Sequence, residues 1–326
     1  LDKQKLATAS VVIYDPIRGN MLLTRSVIHG LGFRRIDGMT CQNELTRKLK
    51  DADISLLIIE ATDQKDAVVK MIRAQRLGEL GANPFIPMIA TLWSGSTDHV
   101  ADLMNVGCDD VLLRPFSSTQ ALERVRALLV ARKQFVVTSD YVGPDRGLSS
   151  RNQMTPRTFV PPNFLRDRLV LPQYDTVEQQ KRLSEARVQA DQDRVAKLAR
   201  RIAMAAEVVL QSQGRGDPNS GFVMDLLESA SELERVAKRL AIEQVQDIAS
   251  VLSQISGLTS TPDGEQLENA NLTRQLALAL FVAYGVEGGE AFRPELGKTL
   301  VKVQERLGIT TEKKKKQHAF PLSMAS

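Results

Sequence analysis

An α/β domain on a five-stranded parallel sheet, followed by an all-α helical domain, is the fold this sequence predicts. Three observations point to it. Short apolar or β-branched runs alternate with helix-spaced segments through the first 135 residues. Those runs are continuously apolar, as strands covered on both faces of a parallel sheet must be. Beyond residue 176 the strand signal stops, and apolar residues recur three and four apart.

The predicted strands are Val11–Tyr14, Phe33–Ile36, Ser55–Ile59, Pro87–Leu92 and Asp110–Leu113. Helical spacing fills the intervals at Asn20–His29, Gln42–Leu49, Gln64–Arg76, Thr97–Val106 and Ser118–Arg132. In sheets of this kind the functional crevice lies beyond the carboxyl ends of the strands. The residues that close each strand are therefore the candidates for function.

A change of texture sets the domain boundaries at 9–135, 136–175, 176–310 and 311–326. In 136–175, Pro144, Pro156, Pro161, Pro162 and Pro172 interrupt regular structure and arginines are scattered among them. The expectation is a linker wrapped on a neighbouring surface through Phe159, Phe164, Leu169 and Leu171. The helical domain begins with Thr176–Gln213, ended by Gly214, Gly216 and Asp217-Pro218. Apolar spacing from Asn219 to Ile255 fits one long helix or two. A turn at Thr261–Gly264 opens the next helix, and Pro294 stands at a position where a helix start tolerates it. Gly308 stops the last helix, and the basic tail 311–326 is expected to be disordered. Helices of this length and pattern most simply form a bundle.

Composition narrows the function classes. Apolar residues make up 43% and charged residues 25%, the proportions of a chain that buries a sizeable core. A net charge of +4, much of it from Lys313–Lys316, is too small an excess to argue for nucleic acid. Cys41 and Cys108 fit a reducing compartment and cannot build a cysteine-rich zinc site. No apolar run reaches the ~20 residues of a membrane span. Leu1–Ser10 lacks a signal-peptide core, so a cytoplasmic protein is expected. His29, His99 and His318 are the only histidines, and none falls on a bundle face where a phosphotransfer helix would need one. No glycine-rich phosphate loop is present, and no cofactor or metal is expected.

The run Gly107-Cys108-Asp109-Asp110-Val111-Leu112-Leu113-Arg114-Pro115-Phe116 resembles the G-A-D-D-Y-L-x-K-P-F motif of bacterial response-regulator receivers. Pro87-Met88-Ile89-Ala90 is similar to that family's fourth strand, and Asn20-Met21-Leu22-Leu23 to its first helix. The resemblance covers residues 9–132 and implies a CheY-like, flavodoxin-like fold. It also implies a phosphoacceptor site: two acids that hold magnesium, an aspartate that attacks phosphorus, a hydroxyl, and a lysine.

The chain departs from that pattern at nearly every position. Tyr14 stands at the first acid, leaving Asp15 alone. Glu60 replaces the aspartate, and its carboxylate stands one methylene further out. Leu92 falls at the hydroxyl position, with Thr91 beside it if the register moves by one. Arg114 replaces the lysine, and Val111 the switch aromatic. Asp15, Glu60, Thr91, Leu92 and Arg114 thus define a degenerate pocket, with no catalytic residue. Glu60 and Arg114 are expected to face each other, either as a charge pair that holds one state or as a residual surface salt bridge. The surface version is the plainer reading, worth at most about 1 kcal/mol if exposed.

In the helical half, Val195, Leu198, Ile202, Ala205 and Val209 form a heptad-like seam. It is a candidate for self-association, or it packs inside its own bundle. The charged segment before it is expected to stay solvated. The expected function is a non-catalytic, phosphorylation-independent signalling adaptor that binds protein partners and forms a homodimer. The alternative is a nucleic-acid-binding regulator using Val195–Ala203 with Lys197, Arg200 and Arg201.

Overall fold

The computed structural model describes residues 2–63, 65–93, 96–147, 158–213, 220–258 and 266–306. The basic run Lys313–Lys316, the tail 311–326, His318, Gly308 and the turns at 214–218 and 261–264 lie outside the described residues, as do Pro156 and Arg157. The chain divides into two compact units, Leu1–Ala190 and Asp191–Ser326.

In the first unit the strands are β1 (Ser10–Tyr14), β2 (Arg35–Met39), β3 (Leu56–Glu60), β4 (Met88–Leu92) and β5 (Asp110–Leu113). All pair in parallel, in the order β2-β1-β3-β4-β5. That is the doubly wound order expected when right-handed crossovers place helices on both faces. The helices are α1 (Lys3–Thr8), α2 (Arg18–Gly30), α3 (Gln42–Lys48), α4 (Lys65–Arg76), α5 (Thr97–Asn105) and α6 (Ser118–Val130). Alternation along the strands sends Val11, Ile13, Leu56, Ile58, Ile89 and Leu112 into one core layer. Val12, Tyr14, Leu57, Ile59, Met88, Ala90 and Leu92 go into the other.

Two elements differ from the sequence reading. The strand expected at Phe33–Ile36 begins at Arg35 and runs to Met39. β2 is an edge strand with Ile36 buried between exposed Arg35 and Asp37, so it lacks the continuous apolar run used to find it. Helix α1 was not expected; Asp2 caps it by accepting from the Gln4 amide.

The segment 136–175 carries regular structure. Strands β6 (Phe135–Val137), β7 (Val142–Pro144) and β8 (Thr158–Phe159) form an antiparallel sheet in the order β7-β6-β8, followed by α7 (Phe164–Val170). Phe135, Phe159 and Phe85 meet edge to face, with centroids 5.6–6.2 Å apart. Phe85 precedes β4, so the appended sheet covers the amino-terminal edge of the main sheet. Helix α8 (Thr176–Gln213) follows. Its first turns are not fully solvated: Gln179 and Leu183 are buried, Leu183 in one cluster with Phe135 and Phe164. Arg182 pairs with Asp167, and Arg187 donates to the Ala82 carbonyl.

Asp109 anchors this edge. Its Oδ2 accepts from Arg76 at 2.7 Å and from the Met88 amide at 2.9 Å, and its Oδ1 from Arg132 at 2.8 Å. Arg76 also donates to the carbonyls of Gly107, Pro84 and Ile86. Both guanidinium groups lie against the Phe135 ring, at 5.2 and 4.9 Å. Burial pushes the Asp109 carboxyl up, but Arg132 and Arg76 outweigh it and hold the group below the ordinary carboxylate range.

The second unit holds the rest of α8 with α9 (Ser220–Arg239), α10 (Glu243–Leu258), α11 (Gln266–Leu280) and α12 (Arg293–Arg306). A π-turn at Phe281–Gly285 and a 3-10 turn at Gly289–Phe292 join the last two. The apolar stretch that fits one helix or two is two: Ala241, with φ 54°, breaks it. Asp191 with Arg239, Arg194 with Glu232, and Arg201 with Asp225 pair along α8 and α9, one index rising as the other falls. This ladder sets an antiparallel register. Val195, Leu198, Ile202 and Ala205 are buried in one core with Leu226, Leu233, Ile248 and Leu276. Val209 is buried with Val223 and Ala270. The seam offered for self-association is therefore closed within its own bundle, because the facing helices supply its apolar partners.

Replacing Asp109 by Asn leaves two buried arginines without their counter-charge. Asp109→Asn should lower the unfolding free energy by about 3 kcal/mol in denaturant titration at neutral pH. A carboxyl depressed in the folded state stabilises above its unfolded pKa, and that contribution fades as pH falls through the folded value. The difference between variant and wild type should accordingly shrink only in strong acid.

Candidate functional site

The pocket at the carboxyl edge follows from the strand period. Side chains two residues apart share a face. Asp15 follows Ile13, Glu60 follows Ile58, Thr91 follows Ile89, and Arg114 follows Leu112, all on the layer that α2 covers. Leu92 points the other way and packs with Ala90 and Met88. The hydroxyl in the pocket is thus that of Thr91, and Leu92 is core. Tyr14 is core for the same reason.

Arg114 fills the pocket. Its Nε donates to Glu60 Oε2 at 2.9 Å. Its Nη2 lies 3.1 Å from Asp15 Oδ2, 2.8 Å from Thr24 Oγ1 and 3.2 Å from Thr91 Oγ1. The rings of Trp93 and Phe116 stand 5.8 and 5.4 Å from the guanidinium carbon. The Glu60–Arg114 pair is not a surface bridge: both side chains are 5% exposed, and Asp15 is fully buried.

Glu60 has no idle oxygen. Oε2 also accepts from the Thr91 hydroxyl at 2.6 Å, while Oε1 accepts from the amide and hydroxyl of Thr62. The Thr62 hydroxyl in turn accepts from the Trp93 amide at 2.9 Å. Thr24 donates to the Asn20 carbonyl and so presents a lone pair to Arg114. Each hydroxyl relays one bond and receives another, which is the condition under which a buried polar network is stable. Asp15 accepts from the Ile17 amide. Burial pushes its carboxyl above the ordinary value, more than the Ile17 amide and Arg114 lower it, and Glu60 and Asp63 push the same way.

All four polar candidates, Asp15, Glu60, Thr91 and Arg114, therefore converge, and Leu92 does not. Thr24, Thr62 and Trp93 were missed. Thr24 had a signal: it lies between Met21 and Ile28 on the buried stripe of α2. Thr62 stands two residues beyond Glu60, a spacing that carries no weight once the strand has ended.

The resemblance implies a magnesium ion, and these residues do not suit one. A hard divalent cation needs several free oxygen ligands. Both acids already bind the Arg114 guanidinium, and among the described residues no three His, Cys, Asp or Glu side chains are grouped to hold a metal.

No protein-family model matches the chain, and no curated protein matches it. The solved structures similar to it include the following three. A putative pilus assembly-related protein from Burkholderia pseudomallei is 17% identical, with a TM-score of 0.32, over 36% of this chain and 90% of that one. A CheY-like response regulator receiver domain protein from Methanospirillum hungatei is 16% identical, with a TM-score of 0.31, over the same shares. A signal receiver domain of a two-component histidine kinase from Clostridium thermocellum is 19% identical, with a TM-score of 0.33, over 37% of this chain and 96% of that one. By its strand order and its Gly107–Phe116 motif, the amino-terminal α/β domain has a receiver fold.

Arg114→Met should destabilise the first unit by about 3–5 kcal/mol, because Asp15 and Glu60 would stay buried without a cation. Arg114→Lys should recover only part of that, since an ammonium lacks the planar fork that reaches both acids. Denaturant midpoints of the two variants check this ordering.

Proposed function

We propose that this protein is a bacterial, cytoplasmic signalling adaptor of the two-component kind whose receiver-like domain works without phosphorylation. The observation that carries the reading is the Arg114 guanidinium held by Asp15, Glu60, Thr24 and Thr91. Phosphoryl transfer depends on positioning: an acceptor oxygen must face the donor in line, with a cation to take up charge. Both Glu60 oxygens are engaged, and the positive charge in the pocket is supplied by the chain itself. A pocket of this kind holds one state permanently and leaves recognition to the surface.

On this reading the domain is non-catalytic and acts by binding other proteins. The nucleic-acid alternative draws less support from the helical half. Arg201 is paired with Asp225, and Arg200 lies against the Gly285 carbonyl and the Phe281 ring. Neither is presented as a free phosphate contact. Among the described residues no helix is long and apolar enough to cross a membrane.

Titration with magnesium and beryllofluoride, a phosphoryl mimic, should leave the amide spectrum of the protein unchanged at concentrations that saturate phosphorylatable receivers. Saturable shifts confined to the neighbourhood of Asp15 and Glu60 would contradict the proposal.

A further inference from the structure

Two buried ion networks stand at the two ends of one short strand. Asp109, immediately before β5, binds Arg76, Arg132 and the Met88 amide. Arg114, immediately after it, binds Asp15, Glu60, Thr24 and Thr91. Between them lie only Asp110–Leu113, an edge strand laddered to β4 alone. An extended strand of this length spans roughly 13 Å and cannot shorten without breaking its ladder. A displacement at one end must therefore move the other or strain the β4 pairing.

The amino end of β5 packs on the appended sheet and is hydrogen-bonded to the segments that flank it. Arg76 and Arg132, which hold Asp109, both lie on the Phe135 ring of β6. Arg132 also donates to the Pro162 carbonyl, just before α7. From the segment after β7, Arg146 donates to the carbonyls of Cys108 at 2.7 Å and Asp109 at 3.0 Å. Val111, in the middle of the strand, packs into the core and has no ring to swing outward. The strand itself is a covalent route from the pocket to the Asp109 end.

We propose that β5 couples the Arg114 pocket to the β6–β8 sheet and α7, which respond when the pocket changes. The coupling does not require that phosphate be excluded, so it stands or falls separately from the beryllofluoride result.

Amide hydrogen exchange on the full chain tests it, comparing wild type with Glu60→Gln and with Thr91→Val. Exchange at 135–144 and 158–170 should be about tenfold faster in Glu60→Gln, equivalent to about 1.4 kcal/mol of local stability. The central residues 10–13 and 56–58 should keep their wild-type rates. Changes confined to 13–15, 60–62, 91–93 and 114–116, or an even increase across the unit, would overturn the proposal. Should Glu60→Gln lose cooperative unfolding, Thr91→Val decides by the same criteria. The reverse direction is read from Trp93, the single tryptophan of the chain, which faces Arg114. Asp109→Asn should shift its emission, and an unmoved spectrum would equally overturn the coupling.

Discussion

A guanidinium enclosed among carboxylates and hydroxyls, and largely shielded from water, is the interaction on which the first unit depends. Desolvating a charge costs several kcal/mol, and only a partner of opposite sign with well-made hydrogen bonds returns it. Arg114 finds that partner in Glu60, shares a second in Asp15, and also donates to Thr24 and Thr91. The same constraint operates at Asp109, with the signs reversed: one acid serves two arginines. Both sites sit at the ends of β5, so ion networks hold this strand at each end in addition to its apolar packing.

Much of this was legible in the sequence, and the reasons are particular. The three inner strands β1, β3 and β4 announce themselves because burial on both faces forbids polar interruptions. β2 escapes precise placement because an edge strand tolerates Arg35 and Asp37. Asp15, Glu60 and Arg114 could be placed together because a parallel sheet brings its strand ends to one edge. The choice between Thr91 and Leu92 turned on a single step of register, which spacing alone left open. Strand parity within the folded sheet decides it.

What the sequence concealed lies where contacts are long-range. Prolines at 144, 161 and 162 suggested a linker, yet Pro144 ends a strand of the small antiparallel sheet. Three phenylalanines, far apart in the chain, make that sheet worth forming, and no local pattern records their meeting. The seam from Val195 to Val209 posed the opposite problem. Its spacing correctly marked a buried helical face but carried no information about which chain would bury it. Leu226, Leu233, Ile248 and Leu276 of the same bundle do so.

Glu60 and Arg114, paired at 2.9 Å and both 5% exposed, should behave as a strongly coupled buried pair and not as the remnant of a decayed site. A double-mutant cycle on Glu60→Gln and Arg114→Met, read as unfolding free energies at low and high salt, measures this directly. A coupling of about 2 kcal/mol or more is expected, nearly insensitive to salt because the pair is shielded from solvent. A coupling below about 0.5 kcal/mol, or one that salt abolishes, is what an exposed pair would give and would contradict it.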